Sequence, residues 1–299
     1  KDSAILYRSN AQSRELEEAL LRVSMPYKIY GGHRFYDRLE IKNALSYLRL
    51  MVNRNDDTAI ERVINVPTRG IGGRTLELIR DVARKNSISL WKACVTCVNK
   101  NMLSSRAAGS VLAFLELIDK LDSDCSILQL HEKAEQVIVN SGLIIHHEKE
   151  GGEKARTRIE NLEELITACR NFDTPELISE GNDEIDLTSK RFLATFLDQA
   201  SLDSGDTQAD ESDDAVQLMT LHSAKGLEFP LVFLSGMEEG LFPHKMSMDN
   251  ITGLEEERRL CYVGITRAKE KLFLSYAESR RLHGCLLYTS PSPRDRTRS

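Results

Sequence analysis

Residues 4–32, AILYRSNAQSRELEEALLRVSMPYKIYGG, decide the fold. Ala4-Ile5-Leu6-Tyr7 opens a short apolar run that reads as a buried strand over 4–9. Asn10 follows as a helix cap, and Leu16, Ala19, Leu20 and Val23 then share one helical face across 11–23. Pro26 stops the helix, and 27–30 (YKIY) alternates as a strand before Gly31-Gly32. Strand, helix and strand joined by short connections are the signature of a parallel α/β layer. Working outward, the pattern lapses after Gly32. From Phe35 to about Leu202 the apolar spacing is helical, as in Ile41, Leu45, Leu48, Met51 and in Val111, Phe114, Leu117, Leu121. It returns with strands at 215–221 (AVQLMTL) and 231–234 (LVFL), a charged helix over 254–267, and a strand at 271–276. Each α/β piece is too small to bury a core alone, so the expected architecture is one α/β domain interrupted by a large all-helical domain. Stretches 182–188 and 201–214 read as loops or linkers. Residues 285–299, with two Ser-Pro steps and no periodicity, read as a non-native or disordered tail.

A chain of 299 residues suggests about two domains. Its 41% hydrophobic and 29% charged residues exclude collagen, general disorder and a small disulfide scaffold. No apolar run approaches the ~18 residues of a membrane span, and no secretory leader precedes the first strand. The chain starts at Lys1 with apolar patterning close behind, and it reads as a piece of a longer protein. The net charge of −6 is uneven: residues 171–214 hold 13 Asp and Glu against Lys190 and Arg191, leaving the remainder mildly basic at +5. Charge therefore permits a nucleic-acid surface, while an acidic loop beside ordinary surface lysines accounts for it equally. The six cysteines suit a reducing compartment. Only Cys94 and Cys97 have ligand-like spacing, and they read as buried thiols on one helix. His146-His147 has no partner that the sequence makes visible, so no metal site is expected.

Three segments carry chemistry. In 219–229, MTLHSAKGLEF, a buried strand runs into a small-residue loop holding His222, Ser223, Lys225 and Glu228. Strand ends are where α/β sheets bind ligands, although a solvated loop fits the same residues. In 254–268, Arg267 follows an apolar stretch at the end of a helix, where a guanidinium can reach across a cleft. In 67–75, PTRGIGGRT, glycines precede a helix whose exposed amides could hold a phosphate, with Arg69 and Arg74 adding charge. An ordinary glycine-rich turn between helices fits there too. No GxxxxGK[ST] loop occurs, so the chain has no obvious means of gripping a triphosphate by itself.

Taken together and in order, AILYRSNAQSR, YGGHRFYDRLEIK, PTRGIG, MTLHSAKGLEF, GMEEGLFP and EEERRLCYVGITRAK resemble the C-terminal half of superfamily 1 DNA helicases of the UvrD/PcrA/Rep type. The resemblance runs from about residue 2 to 284. It implies an α/β fold in which 1–30 and 213–284 make the second RecA-like motor domain, of the P-loop NTPase type. Residues 31–212 would be its inserted helical domain with an acidic linker, and 285–299 the tail. It implies ATP with Mg²⁺, the phosphate loop and Mg²⁺ ligands lying in an N-terminal domain upstream of this chain. Arg267 then resembles the arginine finger that stabilises charge on the γ-phosphate, and Glu228 the acceptor from the ribose hydroxyl. Lys225 and Gly226 line the same nucleotide cleft. Arg8, Asn10 and His222 resemble contacts to single-stranded DNA, and His283 stands where relatives carry a base-stacking Tyr or Phe. Gly70 and Gly72 resemble contacts to duplex phosphates, with Arg34 and Arg74 beside them. The implied activity is 3′→5′ ATP-driven unwinding in mismatch and nucleotide excision repair. Its partners are single-stranded DNA, single–double-strand junctions and repair proteins, in the bacterial cytoplasm at the nucleoid and without a membrane. The isolated chain is expected to be inactive. Two alternatives are a helicase–nuclease subunit and a stand-alone module for DNA binding or partner docking.

Overall fold

Strand β1 (Ser3–Tyr7) sits in the middle of a parallel sheet with the order β2-β3-β1-β4-β5. Its companions are β2 (Tyr27–Ile29), β3 (Val216–Thr220), β4 (Phe229–Leu234) and β5 (Ala268–Leu274). Ala4 lies between Gln217 on β3 and Val232 on β4. Neither end of the chain can therefore complete the sheet without the other. The computed structural model describes residues 2–172, 188–205, 214–248, 251–277, 279–282 and 285–288. The chain folds as two compact units, Lys1–Asp37 with Ser204–Ser299, and Arg38–Asp203. Among the described residues, no helix is long and apolar enough to cross a membrane.

In the first unit, strand alternation sorts side chains onto two faces. Ala4 and Leu6 point with Met219, Val232 and Leu234 into one core, while Tyr7, Ile29 and Leu218 point into the other. Helix α1 (Ser13–Arg22) covers the second face with Leu16 and Leu20. A 3-10 turn (Asn10–Gln12) precedes it because Gln12 Oε1 accepts the N–H groups of Arg8 (2.9 Å) and Ser9 (2.8 Å).

The described elements of the second unit are all helices. Helix α2 (Leu39–Val52) buries ten of its residues and touches α3 (Asp57–Val63), α6 (Ser105–Asp124), α7 (Leu130–Asn140) and α9 (Gly152–Asn171). Around them run α4 (Gly73–Asn86), α5 (Leu90–Asn99), α8 (Leu143–Glu150) and α10 (Lys190–Gly205). Side-chain caps start several of them, with Asp56, Ser89 and Ser104 accepting from the first turns of α3, α5 and α6. The core also encloses a polar chain: Arg38 donates to Asn161 Oδ1 (2.8 Å), and Asn161 donates to Glu40 (2.6 Å). Cys94 and Cys97 are buried on α5 as free thiols, and burial pushes the Cys94 thiol up to about 12. The linker expected over 201–214 begins later than the sequence suggests, since α10 continues to Gly205. Its last turns are tied down by Arg49, which donates to the Ser201 hydroxyl and the Leu197 carbonyl. Residues 206–213, like 182–187 of the other expected loop, lie outside the described residues.

Back in the first unit, α11 (Lys245–Met248) and α12 (Ile251–Ile265) lie between β4 and β5. Leu260 of α12 joins the Ala4–Leu6 core. Gly264 lets this helix approach the sheet, for a Cβ there would meet Leu221 Cδ2 at 2.6 Å and Leu234 at 3.4 Å. Beyond β5, β6 (Ser279–Leu282) and β7 (Cys285–Tyr288) pair antiparallel. Part of the expected tail is thus a strand. Four residues are too few to display a period, and Leu-Leu-Tyr is strand-prone once a neighbour is available to pair with it.

Candidate functional site

The loop 221–228 is shaped by what it buries. Leu221 and Ala224 are fully enclosed in the sheet core, and Leu227 packs against it. The polar members His222, Lys225 and Glu228 consequently face outward. Thr220 Oγ1 holds the turn by accepting from the Ser223 amide, 3.3 Å away, and Gly226 closes it with φ of +87°.

The strand register shows that this loop serves two places. Tyr7 of β1 lies opposite Thr220 of β3, so the residues after them, Arg8 to Asn10 and His222, share the C-terminal edge of the sheet. Phe229 of β4 lies opposite Ala268 of β5, so Glu228 and Arg267 share the N-terminal edge. A strand of six residues spans about 20 Å, which separates the two edges. Treating the whole segment as one strand-end site therefore needs correction: the loop carries the chain from one edge to the other.

At the N-terminal edge the structure brings Arg267 against the loop. Its Nη1 donates to the Leu227 carbonyl (2.9 Å), Nε to the Val263 carbonyl (3.0 Å) and Nη2 to Thr266 Oγ1 (3.0 Å). The Phe229 amide donates to the Arg267 carbonyl at 2.9 Å, joining the two segments through the backbone. All three guanidinium partners are neutral. Glu228 lies beside Lys269, 3.7 Å away, with both side chains about half exposed.

Arg8, at the other edge, has its charge matched. Its Nε lies 3.0 Å from both Glu257 oxygens and its Nη2 lies 2.8 Å from Oε1, in a pair where Glu257 is 4% exposed. Glu257 also accepts from the His244 amide (3.2 Å) and the Ser247 hydroxyl (3.1 Å). Burial pushes its carboxyl upward, but Arg8, the amide and the hydroxyl outweigh this and hold it below the usual carboxylate range. The sequence offers no signal for Glu257 as a hub, since it is one of three consecutive glutamates. Asn10 is half-buried in the 3-10 turn and His222 is exposed. Arg34 departs from expectation: it is 4% exposed, with its guanidinium 5.0 Å from the centre of the Tyr27 ring. A guanidinium enclosed in that way does not present itself to a duplex. His283 lies outside the described residues.

In the helical unit, Asn65 Oδ1 organises the loop before α4 by accepting from the amides of Arg69 (2.8 Å) and Ile71 (3.2 Å). Ile71 is buried, and Gly70 supplies the turn with φ of +78°. Arg69 points inward, contrary to expectation. It donates to the carbonyls of Val63, Pro67 and Ser141, and lies 5.7 Å from the ring centres of Tyr47 and Phe114. Three carbonyls and two aromatic faces hold a guanidinium better than water does. Gly72, Gly73 and Arg74 are exposed at the start of α4, and a Cβ at either glycine would meet nothing within 4 Å. The open amides of this helix end favour an anion.

Comparison with known proteins gives one consistent answer. A family model described as the UvrD-like helicase C-terminal domain matches residues 1–279. DNA helicase II of Escherichia coli (strain K12) is 57% identical over 291 residues, covering 97% of this chain and 39% of the relative. DNA helicase II of Haemophilus influenzae is 54% identical over 282 residues, covering 94% of this chain and 38% of the relative. The ATP-dependent DNA helicase PcrA of Staphylococcus aureus is 42% identical over 286 residues, covering 95% of this chain and 38% of the relative. The chain thus spans about two fifths of the length of these relatives.

Proposed function

The chain belongs to the UvrD-like helicase C-terminal domain family, and on that premise we propose that it is the C-terminal motor portion of an ATP-dependent 3′→5′ DNA helicase. The whole protein acts in DNA repair in the bacterial cytoplasm, on single strands and single–double-strand junctions. In this reading, 1–30 and 213–284 are the second RecA-like motor domain, and 31–212 its inserted helical domain. The phosphate loop belongs to an N-terminal domain that completes the ATP site.

The carrying observation is the setting of Arg267. Its guanidinium donates to two carbonyls and a hydroxyl, and among the described residues no carboxylate pairs with it as Glu257 pairs with Arg8. An arginine in that state suits a triphosphate: exchanging the Leu227 carbonyl for a γ-phosphate oxygen places positive charge where negative charge develops during hydrolysis. Glu228 leads into the neighbouring strand and accepts from a ribose hydroxyl, while Lys225 and Gly226 flank it. Glu228 lies beside Lys269, and by the resemblance the Mg²⁺ ligands belong to the N-terminal domain. At the opposite edge His222 and Asn10 meet the single strand, with Arg8 shaping that edge through Glu257. The amides of α4, with Gly70, Gly72 and Arg74, hold duplex phosphates.

The test is DNA-stimulated ATP turnover by the full-length protein carrying Arg267→Ala. Turnover is expected to fall about 10³-fold or more with single-strand binding retained, and the 299-residue chain alone is expected to turn over no ATP. Unchanged turnover in the variant would remove Arg267 from the chemistry and favour a DNA-binding module.

A further inference from the structure

Helix α8 gives the adjacent histidines a partner that the sequence does not advertise. Glu150 stands four residues after His146 and three after His147, one helical turn on. His147 Nδ1 lies 3.1 Å from Glu150 Oε2, and His146 Nε2 lies 3.8 Å from Oε1. The two imidazole centroids are 5.0 Å apart. One ligating atom from each of the three residues lies within 4.8 Å of the other two. The His147 side chain is 3% exposed and forms a fixed wall, whereas those of His146 and Glu150, at 30% and 37%, reach solvent and can close on an ion. Among the described residues His147 Nε2 is buried without a hydrogen-bond partner, while Nδ1 faces the Glu150 carboxylate. Ligation through Nδ1 requires the tautomer in which Nε2 carries the single ring proton of the neutral imidazole.

We propose that His146, His147 and Glu150 bind one divalent transition-metal ion, with Zn²⁺ the best match. Two imidazoles and a carboxylate select zinc, cobalt, nickel or copper over the oxygen-seeking Mg²⁺ and Ca²⁺. Three protein ligands leave a coordination position for water. Arg158 of α9 is the built-in competitor, with Nη1 2.5 Å from Glu150 Oε2. Its guanidinium neutralises the carboxylate in the metal-free protein and must give way when the ion enters.

The experiment titrates the untagged, chelator-stripped 299-residue chain with Zn²⁺ by calorimetry and with Co²⁺ by visible absorbance, each variant being checked for folding by circular dichroism. One ion per chain is expected. His146→Ala and Glu150→Gln should each weaken binding at least about tenfold, since even losing an outer-shell group costs a metal site that much. Arg158→Ala should tighten it, an effect that a purely structural role for the cluster does not produce. The Cys94→Ser/Cys97→Ser variant should bind as the parent does. Binding equal in the parent and the His146→Ala/Glu150→Gln double variant, or binding lost in the cysteine variant, would overturn the assignment.

Discussion

Arg8 and Arg267 differ in what balances their charge. Arg8 faces a buried carboxylate at the end of β1, whereas among the described residues the Arg267 guanidinium donates to neutral acceptors. Removing one partner of an enclosed ion pair strands the other, so Glu257→Gln should cost about 3 kcal/mol in urea unfolding at neutral pH. The sign with pH follows from the lowered carboxyl. Because Glu257 titrates lower in the folded state than in the unfolded chain, its contribution is complete above the unfolded value, about 4.3. It is lost as pH falls through the lower folded value. The gap between the parent and Glu257→Gln should therefore narrow on acidification below about pH 4. A gap that stays constant with pH would mean that the pair contributes through shape and not through charge.

At the scale of elements, close approach and open ends decide what glycines and helix termini do. Gly264 lets α12 lie against Leu221 and Leu234, and Arg267 follows three residues later. Gly264→Ala should overpack this contact at a cost of about 1–3 kcal/mol. It should also lower ATP turnover of the full-length protein, although the substituted residue touches no nucleotide. Normal turnover in a destabilised Gly264→Ala protein would show that Arg267 tolerates displacement of its helix. The loop before α4 separates two glycine roles. Gly70, at φ of +78°, should resist Ala by about 1–2 kcal/mol, whereas Gly72, at φ of −83° with open space around it, should accept Ala with little loss. Arg74→Ala should weaken duplex binding uniformly across sequences and reduce the salt slope by about one ion, with thermal stability unchanged. An unaltered slope would remove Arg74 from the phosphate contacts.

The whole molecule contains two compact units, and the acidic stretch 171–214 contains the C-terminal change from one to the other. Leu234 is fully buried in the sheet core and Ile118 in the helical core. Substituting either by Ala should cost about 3 kcal/mol through lost burial and the cavity left behind. Hydrogen exchange should locate each effect, with Leu234→Ala loosening amides of the sheet first and Ile118→Ala those of α2, α6 and their neighbours. Equal loosening of both units by either variant would mean that they unfold as one. The motor reading also belongs to this scale. On the motor proposal, ATP turnover is a property of a longer protein; this chain covers 39% of the relative from Escherichia coli.

By itself the sequence determined the strands and their interleaving with helices. Each of these is written in local periodicity or in residue types at close spacing. The strands expected at 4–9, 215–221 and 231–234 correspond to β1, β3 and β4 with ends shifted by one or two residues, because short apolar runs record burial. His146-His147 shows the limit of that reading, since the pair was visible while its relation to Glu150 required the helix to bring them together. Only the tertiary structure decided the rest. Glu257 meets Arg8 across 249 positions, Arg69 turns inward onto Ser141, and Arg34 is covered. The strand register also puts His222 and Arg267 at opposite edges of one sheet. Periodicity encodes which face a residue shows, whereas charge pairing and strand order depend on which distant segments the folded chain brings together.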